Sequence, residues 1–260
     1  MKKCKVITLA IQKGGVGKTT TVLAMTSILS KMGYKVLVID TDYQRNASNT
    51  FKAKIKDQAT LYDVLLDDDP IPATKAIQTT DYGDIIASDV LLLNADDIFN
   101  KKNLSVTLLR DQIAKIKEED IYDYIIIDTH PSIDSLAYSS LVAADDVIVP
   151  AEADEFSLDG ASLLYRTIVD IKKKHNPNIR IAGFLFTRHD RRTLLGQEIK
   201  EQYEAIADRL DTKLFNATIR KSQKIREAQA AKQPIMDYSP SCTGALDYQE
   251  FVKEYLVLED

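Results

Sequence analysis

Residues 11–22 read IQKGGVGKTTTV, a spacing of glycine, lysine and threonine that suits a loop built around phosphates. Gly14, Gly15 and Gly17 let the backbone turn with its N–H groups inward, and a helix starting near Lys18 adds its positive end, so the loop can hold a polyphosphate. In such a loop Lys18 reaches the β- and γ-phosphates and the Thr19 hydroxyl binds Mg²⁺. The candidate nucleotide-binding residues are Lys13, Gly14, Gly15, Val16, Gly17, Lys18, Thr19 and Thr20. One departure stands out. The usual G-x-x-x-x-G-K-[ST] pattern needs a glycine where this chain has Gln12, and a second cation, Lys13, stands beside it.

Carboxylates follow at suitable places. Mg²⁺ keeps several of its waters and prefers a few acids that hold them. Asp128, after the run YIII, fits the metal-side carboxylate that ends a neighbouring strand in P-loop NTPases. Asp40 and Asp42 form a D-x-D pair after VLVI, and alternation along an extended chain points both side chains the same way. One of the pair is expected to hold a metal-bound water and the other to position the attacking water.

The elements that must position these groups are legible from periodicity. KVITLAI at 5–11 is a β-branched run that stops at glycines, and apolar Val22, Met25, Ile28, Leu29 and Met32 follow at helical spacing before the stop at Gly33. With VLVI at 36–39 this predicts a βαβ unit and hence a parallel sheet. YIII at 124–127, VIV at 147–149 and IRIAGFLF at 179–186 repeat the pattern, and continuous apolar strands covered on both faces predict a doubly wound, mostly parallel α/β sheet flanked by helices. Between Phe51 and Asp97 the expectation is a short helix at 61–66, an Ile-Pro turn at 71–72 and a strand near 84–93. Gly14, Asp40, Asp42 and Asp128 all fall at or just after strand ends, where open parallel sheets bind ligands.

The 260 residues are expected to form a single domain spanning 1–260. Cys4 and Cys242 lie at opposite ends of the chain, offering neither a disulfide framework nor the bridging spacing of an iron–sulfur carrier, and read as apolar fillers in a reducing cytoplasm. The N-terminal apolar run is too short for a signal segment or a membrane span. Net charge is −5, yet residues 161–232 carry 16 Lys+Arg against 8 Asp+Glu, a basic third able to face a polyanion.

The segments KGGVGKTT, VLVIDTDYQRNAS and YDYIIIDTHPS resemble the deviant Walker motifs of the ParA/MinD group of P-loop ATPases. The resemblance continues through VIVPAEADEFSLDGASLL, GFLFTRHDRRT and IRKSQKIREAQAAKQPIMDYSPSCTGALDY, covers nearly the whole chain, and is most specific to the ParA family of partition ATPases. It implies that ATP and Mg²⁺ are the cofactors and that Lys13 reaches across a nucleotide-sandwiched homodimer to the partner's phosphates. It also implies that Asp42 positions water, Asp40 stands on the metal side and Asp128 is the Walker B acid, which makes Lys13, Lys18 and Asp42 the catalytic candidates and Thr19, Asp40 and Asp128 the metal candidates. Two departures bear on the site. The family commonly reads D-x-D-P-Q-G-N where this chain has Asp42-Tyr43-Gln44-Arg45-Asn46, which puts the local turn in doubt, and His130 replaces a usual proline in what reads as a space-filling or supporting role.

The same resemblance implies non-specific binding of double-stranded DNA by the ATP dimer, with Arg192, Arg220, Lys221 and Lys224 as candidate contacts. It further implies a ParB-like centromere-binding adaptor that stimulates an otherwise slow hydrolysis, and a nucleoid-associated protein. An N-terminal helix-turn-helix extension is not expected, since the glycine loop begins about a dozen residues in. Two other readings stay open: a MinD-like membrane switch, against which the acidic tail DYQEFVKEYLVLED argues, and a nucleotide-gated DNA binder with little hydrolysis, suggested by Tyr43 and Arg45. The segments after Phe186 and around Ile219 are candidates for adenine contacts.

Overall fold

Apolar residues that alternate faces along a strand can be buried on both sides only if helices cover both. The computed structural model, which describes residues 4–152, 154–189 and 194–258, satisfies this demand. Among the described residues the strands are β1 (Lys5–Leu9), β2 (Val36–Asp40), β3 (Ile77–Thr80), β4 (Gly83–Ile86), β5 (Tyr124–Asp128), β6 (Asp146–Ala151), β7 (Arg180–His189) and β8 (Ile219–Arg220). They form one sheet in the order β3-β4-β2-β5-β1-β6-β7-β8, parallel except for the β3–β4 hairpin. The helices are α1 (Lys18–Lys31), α2 (Asn46–Thr50), α3 (Leu61–Leu65), α4 (Ala95–Lys102), α5 (Leu108–Glu118), α6 (Ser135–Ala143), α7 (Glu155–Lys174), α8 (Leu194–Arg209), α9 (Gln223–Ala230), α10 (Ile235–Tyr238) and α11 (Thr243–Val257).

Alternation assigns each strand residue to a side. Ile7, Leu9, Val38, Tyr124 and Ile126 pack with α1 and α11, while Val6, Leu37, Ile39, Ile125 and Ile127 pack on the opposite face with α3 and α5. A third cluster at the β6–β7 end is sealed by Tyr203, whose ring meets Phe184 and Phe186 edge-on at 5.3 and 5.1 Å. Both cysteines are free, and burial pushes the Cys4 thiol up to about 11, as suits an inert filler.

The segment 84–93 differs from expectation. Only Gly83–Ile86 is strand, and Val90–Asn94 forms a 3₁₀ turn. The apolar run VLLL drew the strand reading, but the Asp89 carboxylate accepts the Leu91 N–H at 2.8 Å and starts a turn instead. The β3 strand has no periodic signal in the sequence, because IQTT carries only one apolar residue on a sheet edge.

Register decides the site. Leu9 pairs with Asp128 and Asp40 pairs with Asp128, so the strand that feeds the glycine loop and the two acid-bearing strands end side by side. At the other end of the sheet, buried Asp146 holds the layers together. Its carboxylate accepts from Arg180 at 2.6 and 3.1 Å and from the Tyr255 hydroxyl at 2.8 Å, with Lys5 Nζ at 3.3 Å.

Burial by itself would raise the Asp146 carboxyl, but hydrogen bonds from Arg180 and Tyr255 and the charge of Lys5 hold it below its usual value. The unfolded chain therefore binds a proton here at higher pH than the folded one. The stabilisation is complete above the unfolded value of about 3.9 and is lost as pH falls through the lower folded value. Asp146→Asn should lower unfolding free energy at neutral pH by about 2 kcal/mol, the worth of hydrogen bonds to a buried charge. Urea titrations at neutral pH and near pH 3 check this, with the difference between the two proteins shrinking at low pH.

Candidate functional site

The loop after β1 is shaped by two left-handed glycines, Gly15 at φ 77° and Gly17 at φ 90°, a region that side chains strain to enter. Gly17 caps α1 with no side-chain hydrogen bond, so the first-turn N–H groups remain available to an anion. The Thr187 hydroxyl donates to the Val16 carbonyl at 2.8 Å and ties the loop to β7. These groups face a cleft of about 440 Å³, lined on one side by Gly14, Gly15, Lys18 and Thr19 and on the other by Asp42, Asn46 and Thr129.

Lys18 is buried at 7% exposure, and its Nζ donates to the Lys13 carbonyl at 2.7 Å and the Ile11 carbonyl at 3.3 Å. Burial lowers its pKa, while the charges of Asp128 and Asp42 push the other way. Asp128 is fully buried, and both of its carboxylate oxygens lack a hydrogen-bond partner. Burial raises its pKa well above the carboxylate range and Asp40 adds to the rise; the Thr19 hydroxyl, close enough to oppose it, does not complete a hydrogen bond.

Asp40 and Asp42 divide their duties. Asp40 accepts from the Asp42 N–H at 3.1 Å, the Ser48 N–H at 2.8 Å and the Ser48 hydroxyl at 2.6 Å. Its carboxylate is thus committed to protein donors, and burial still raises its pKa. The geometry makes Asp40 the post around which the Asp42 turn is folded. Asp42 lies at the cleft wall, with Oδ1 accepting the Gln44 N–H at 2.9 Å and its carbonyl accepting from the Ser88 hydroxyl at 2.7 Å.

The turn in doubt is formed. Arg45 donates its N–H to the Asp42 carbonyl at 2.8 Å and adopts φ 59°, a left-handed conformation at the position where the family commonly has glycine. Tyr43 lies 5.9 Å from the His130 ring, and His130 Nε2 contacts Asp134 at 2.8 Å, a supporting arrangement.

Lys13 is paired with Asp154 and stands 4.0 Å from Glu152, which in turn accepts from Arg188 at 2.9 Å. Of the DNA candidates, Arg220 is bound to Asp247 through Nε and Nη2 at 2.6–3.1 Å, and Lys224 pairs with Glu227 at 2.7 Å. Lys221 is exposed and Arg192 lies outside the described residues. Both segments expected near adenine line a small cavity beside the loop, through Thr187, Arg188 and Ile219. Periodicity and motif spacing missed Ser48, Ser88 and Gln229, whose amide donates to Thr20 at 2.7 Å. Single hydroxyls and amides carry no such pattern.

The residues present fit a magnesium nucleotide. Two orphaned oxygens in a dry pocket need a cation or its waters, and an uncapped helix start with left-handed glycines needs an anion. Among the described residues no cluster of three His, Cys, Asp or Glu side chains could hold a metal by itself, so a cation here would lean on phosphates and waters.

A family described as an AAA domain matches residues 4–181. The chromosome partitioning protein ParA of Caulobacter vibrioides (strain NA1000 / CB15N) is 32% identical over 257 residues, covering 98% of this chain and 95% of that one. The chain belongs to the ParA family. Soj, the sporulation initiation inhibitor protein of Bacillus subtilis (strain 168), is 33% identical over 252 residues, covering 96% and 97%. Among solved structures, cobyrinic acid a,c-diamide synthase from Mycobacterium smegmatis with bound ATP analog and magnesium superimposes with a TM-score of 0.79 at 28% identity, covering 96% of this chain and 93% of that one.

The strained Arg45 gives this ParA relative a testable feature. Arg45→Gly should relieve about 1–2 kcal/mol of left-handed strain against about 0.4–1 kcal/mol of added unfolded-state entropy, for a net gain near 0.5–1 kcal/mol. Denaturant melts should show the gain, with nucleotide affinity unchanged.

Proposed function

We propose that this ParA-family protein is a Mg²⁺-dependent ATPase. Its ATP-bound form is a sandwich homodimer on non-specific DNA, and a ParB-like adaptor stimulates the hydrolysis that releases it. The observation that carries this reading is Asp128, its two buried oxygens unpartnered, set opposite Lys18 and the open start of α1.

The chain's own groups divide the work. The glycine-loop N–H groups and Lys18 bind the phosphates, and Asp42, braced by Ser88, orients the attacking water. Magnesium, when bound near Thr19 and Asp128, supplies charge neutralisation on the phosphates. On dimerisation Lys13 exchanges its carboxylate partners for the partner's phosphates, a cation in trans that typically changes phosphoryl transfer by roughly 10³ to 10⁵. The pairs that occupy Lys13 in the isolated chain support slow hydrolysis by the protein alone.

DNA contact falls to the basic third. Phosphate recognition needs only cations on one face, and Lys221 makes no described ion pair, whereas the Arg220 guanidinium is shared with Asp247. The membrane reading is disfavoured, since α11 buries Ala245, Tyr248, Phe251, Val252 and Tyr255 in the core. No described helix is long and apolar enough to cross a membrane.

Unrelated duplex DNA should be retarded with ATP and not with ADP or without nucleotide; retardation in all three conditions would overturn the switch. Asp42→Ala should keep ATP-dependent DNA binding and lose turnover, and unchanged turnover would remove Asp42 from the mechanism. Lys221→Glu should weaken DNA binding and flatten its dependence on log salt by about 0.9 per lost phosphate contact, with ATP turnover intact. An unaltered salt slope would place the DNA elsewhere.

A further inference from the structure

A nucleotide joins three chemically different parts, and the protein offers it two adjoining hollows. The cleft described above carries the phosphate-binding groups. The smaller cavity beside it is faced by Ile219, Ile225 and Tyr248, an apolar wall suited to the flat face of a base. Gly17, Thr20, Arg188 and Gln229 line both hollows. They form the seam between the phosphate end and the base end, where the sugar must pass.

Elimination leaves one side chain to read that sugar. Gly17 has none, and the Arg188 guanidinium is shared with Glu152 at 2.9 Å. The Thr20 hydroxyl accepts from Gln229 Nε2 at 2.7 Å. With its nitrogen committed in this way, Gln229 keeps Oε1 as a spare acceptor, to which no described residue donates. A ribose hydroxyl is a donor that fits it. The cations around the two hollows, Lys18, Arg188, Lys221, Arg226 and Lys232, suit phosphates and carry no preference for a neutral hydroxyl.

The backbone fixes where the amide stands. Gln229 lies in the last turn of α9, next to Ala228, which is buried. Just past it Lys232 adopts φ 51°, its N–H donates to the Gln229 carbonyl at 3.1 Å, and the Gln233 N–H donates to the Ala228 carbonyl at 3.0 Å. This pair of bonds closes the helix in a Schellman end. The turn under Gln229 is therefore held before any ligand arrives, and little ordering remains to offset one new hydrogen bond.

We infer that Gln229 is a specificity-determining residue of the nucleotide site: braced on Thr20, its Oε1 accepts a ribose hydroxyl, and the chain prefers ribonucleotides to their deoxy counterparts. The inference rests on the ATPase reading above.

The test is equilibrium binding of MgADP, Mg-2′-deoxy-ADP and Mg-3′-deoxy-ADP to the full chain by titration calorimetry, since the diphosphates are not consumed. The unaltered chain should bind ADP roughly three- to tenfold tighter than at least one deoxy compound, the worth of one hydrogen bond. Gln229→Leu, at an exposed helical position that leucine suits, should bring ADP down to the deoxy level and leave the deoxy affinity in place. Gln229→Glu keeps an oxygen acceptor and should retain the preference, while its charge weakens all three ligands. An unaltered chain that does not distinguish the sugars would overturn the inference. So would a Gln229→Leu protein that loses affinity for ADP and its deoxy forms alike, which would assign Gln229 to the phosphates or to the fold. ATP turnover measured on the same unaltered protein separates the two readings. With turnover present and the sugar preference absent, only the role of Gln229 falls; with neither nucleotide binding nor turnover, both fall.

Discussion

The arrangement depends on a carboxylate left unsatisfied in a dry place. Asp128 has no hydrogen-bond partner on either oxygen and sits beside buried Asp40, so ionising it in the bare protein works against both desolvation and like charge. A fold tolerates such a group only where something else completes it. The cation of Lys18 on one side and a magnesium nucleotide on the other are what the pocket's shape and polarity accept. Binding energy and folding energy thus meet in one side chain.

Around that acid the structure is built to hold shape rather than to react. Asp40 is fully committed to Ser48 and the Asp42 backbone, and Ser88 braces Asp42 from the loop that follows β4. Arg45 accepts left-handed strain so that the turn can close through its N–H. These polar bonds are buried and mutually dependent, and the position of Asp42 is set by several strands at once.

Family membership and geometry support each other through different residues. Similarity to ParA and Soj runs over nearly the whole chain, whereas the geometric case rests on a few atoms in one cleft. Lys13 joins them. It stands beside the phosphate loop, and within the single chain its charge is engaged by Asp154 and Glu152.

By itself the sequence determined the parallel α/β architecture, the phosphate loop and the three acids at strand ends, because apolar alternation, glycine spacing and strand-terminal carboxylates are local patterns. The apolar run VLLL reads as strand for the same reason, but the Asp89 side chain caps the backbone two residues on and starts a turn there. Only the tertiary structure decided that Asp40 supports while Asp42 faces the cleft, that Arg220 is shared with Asp247, and that Ser48 and Ser88 link them. Those outcomes depend on strand register and on single hydrogen bonds between residues as many as 46 positions apart, and a linear pattern carries no record of which distant donor meets which acceptor.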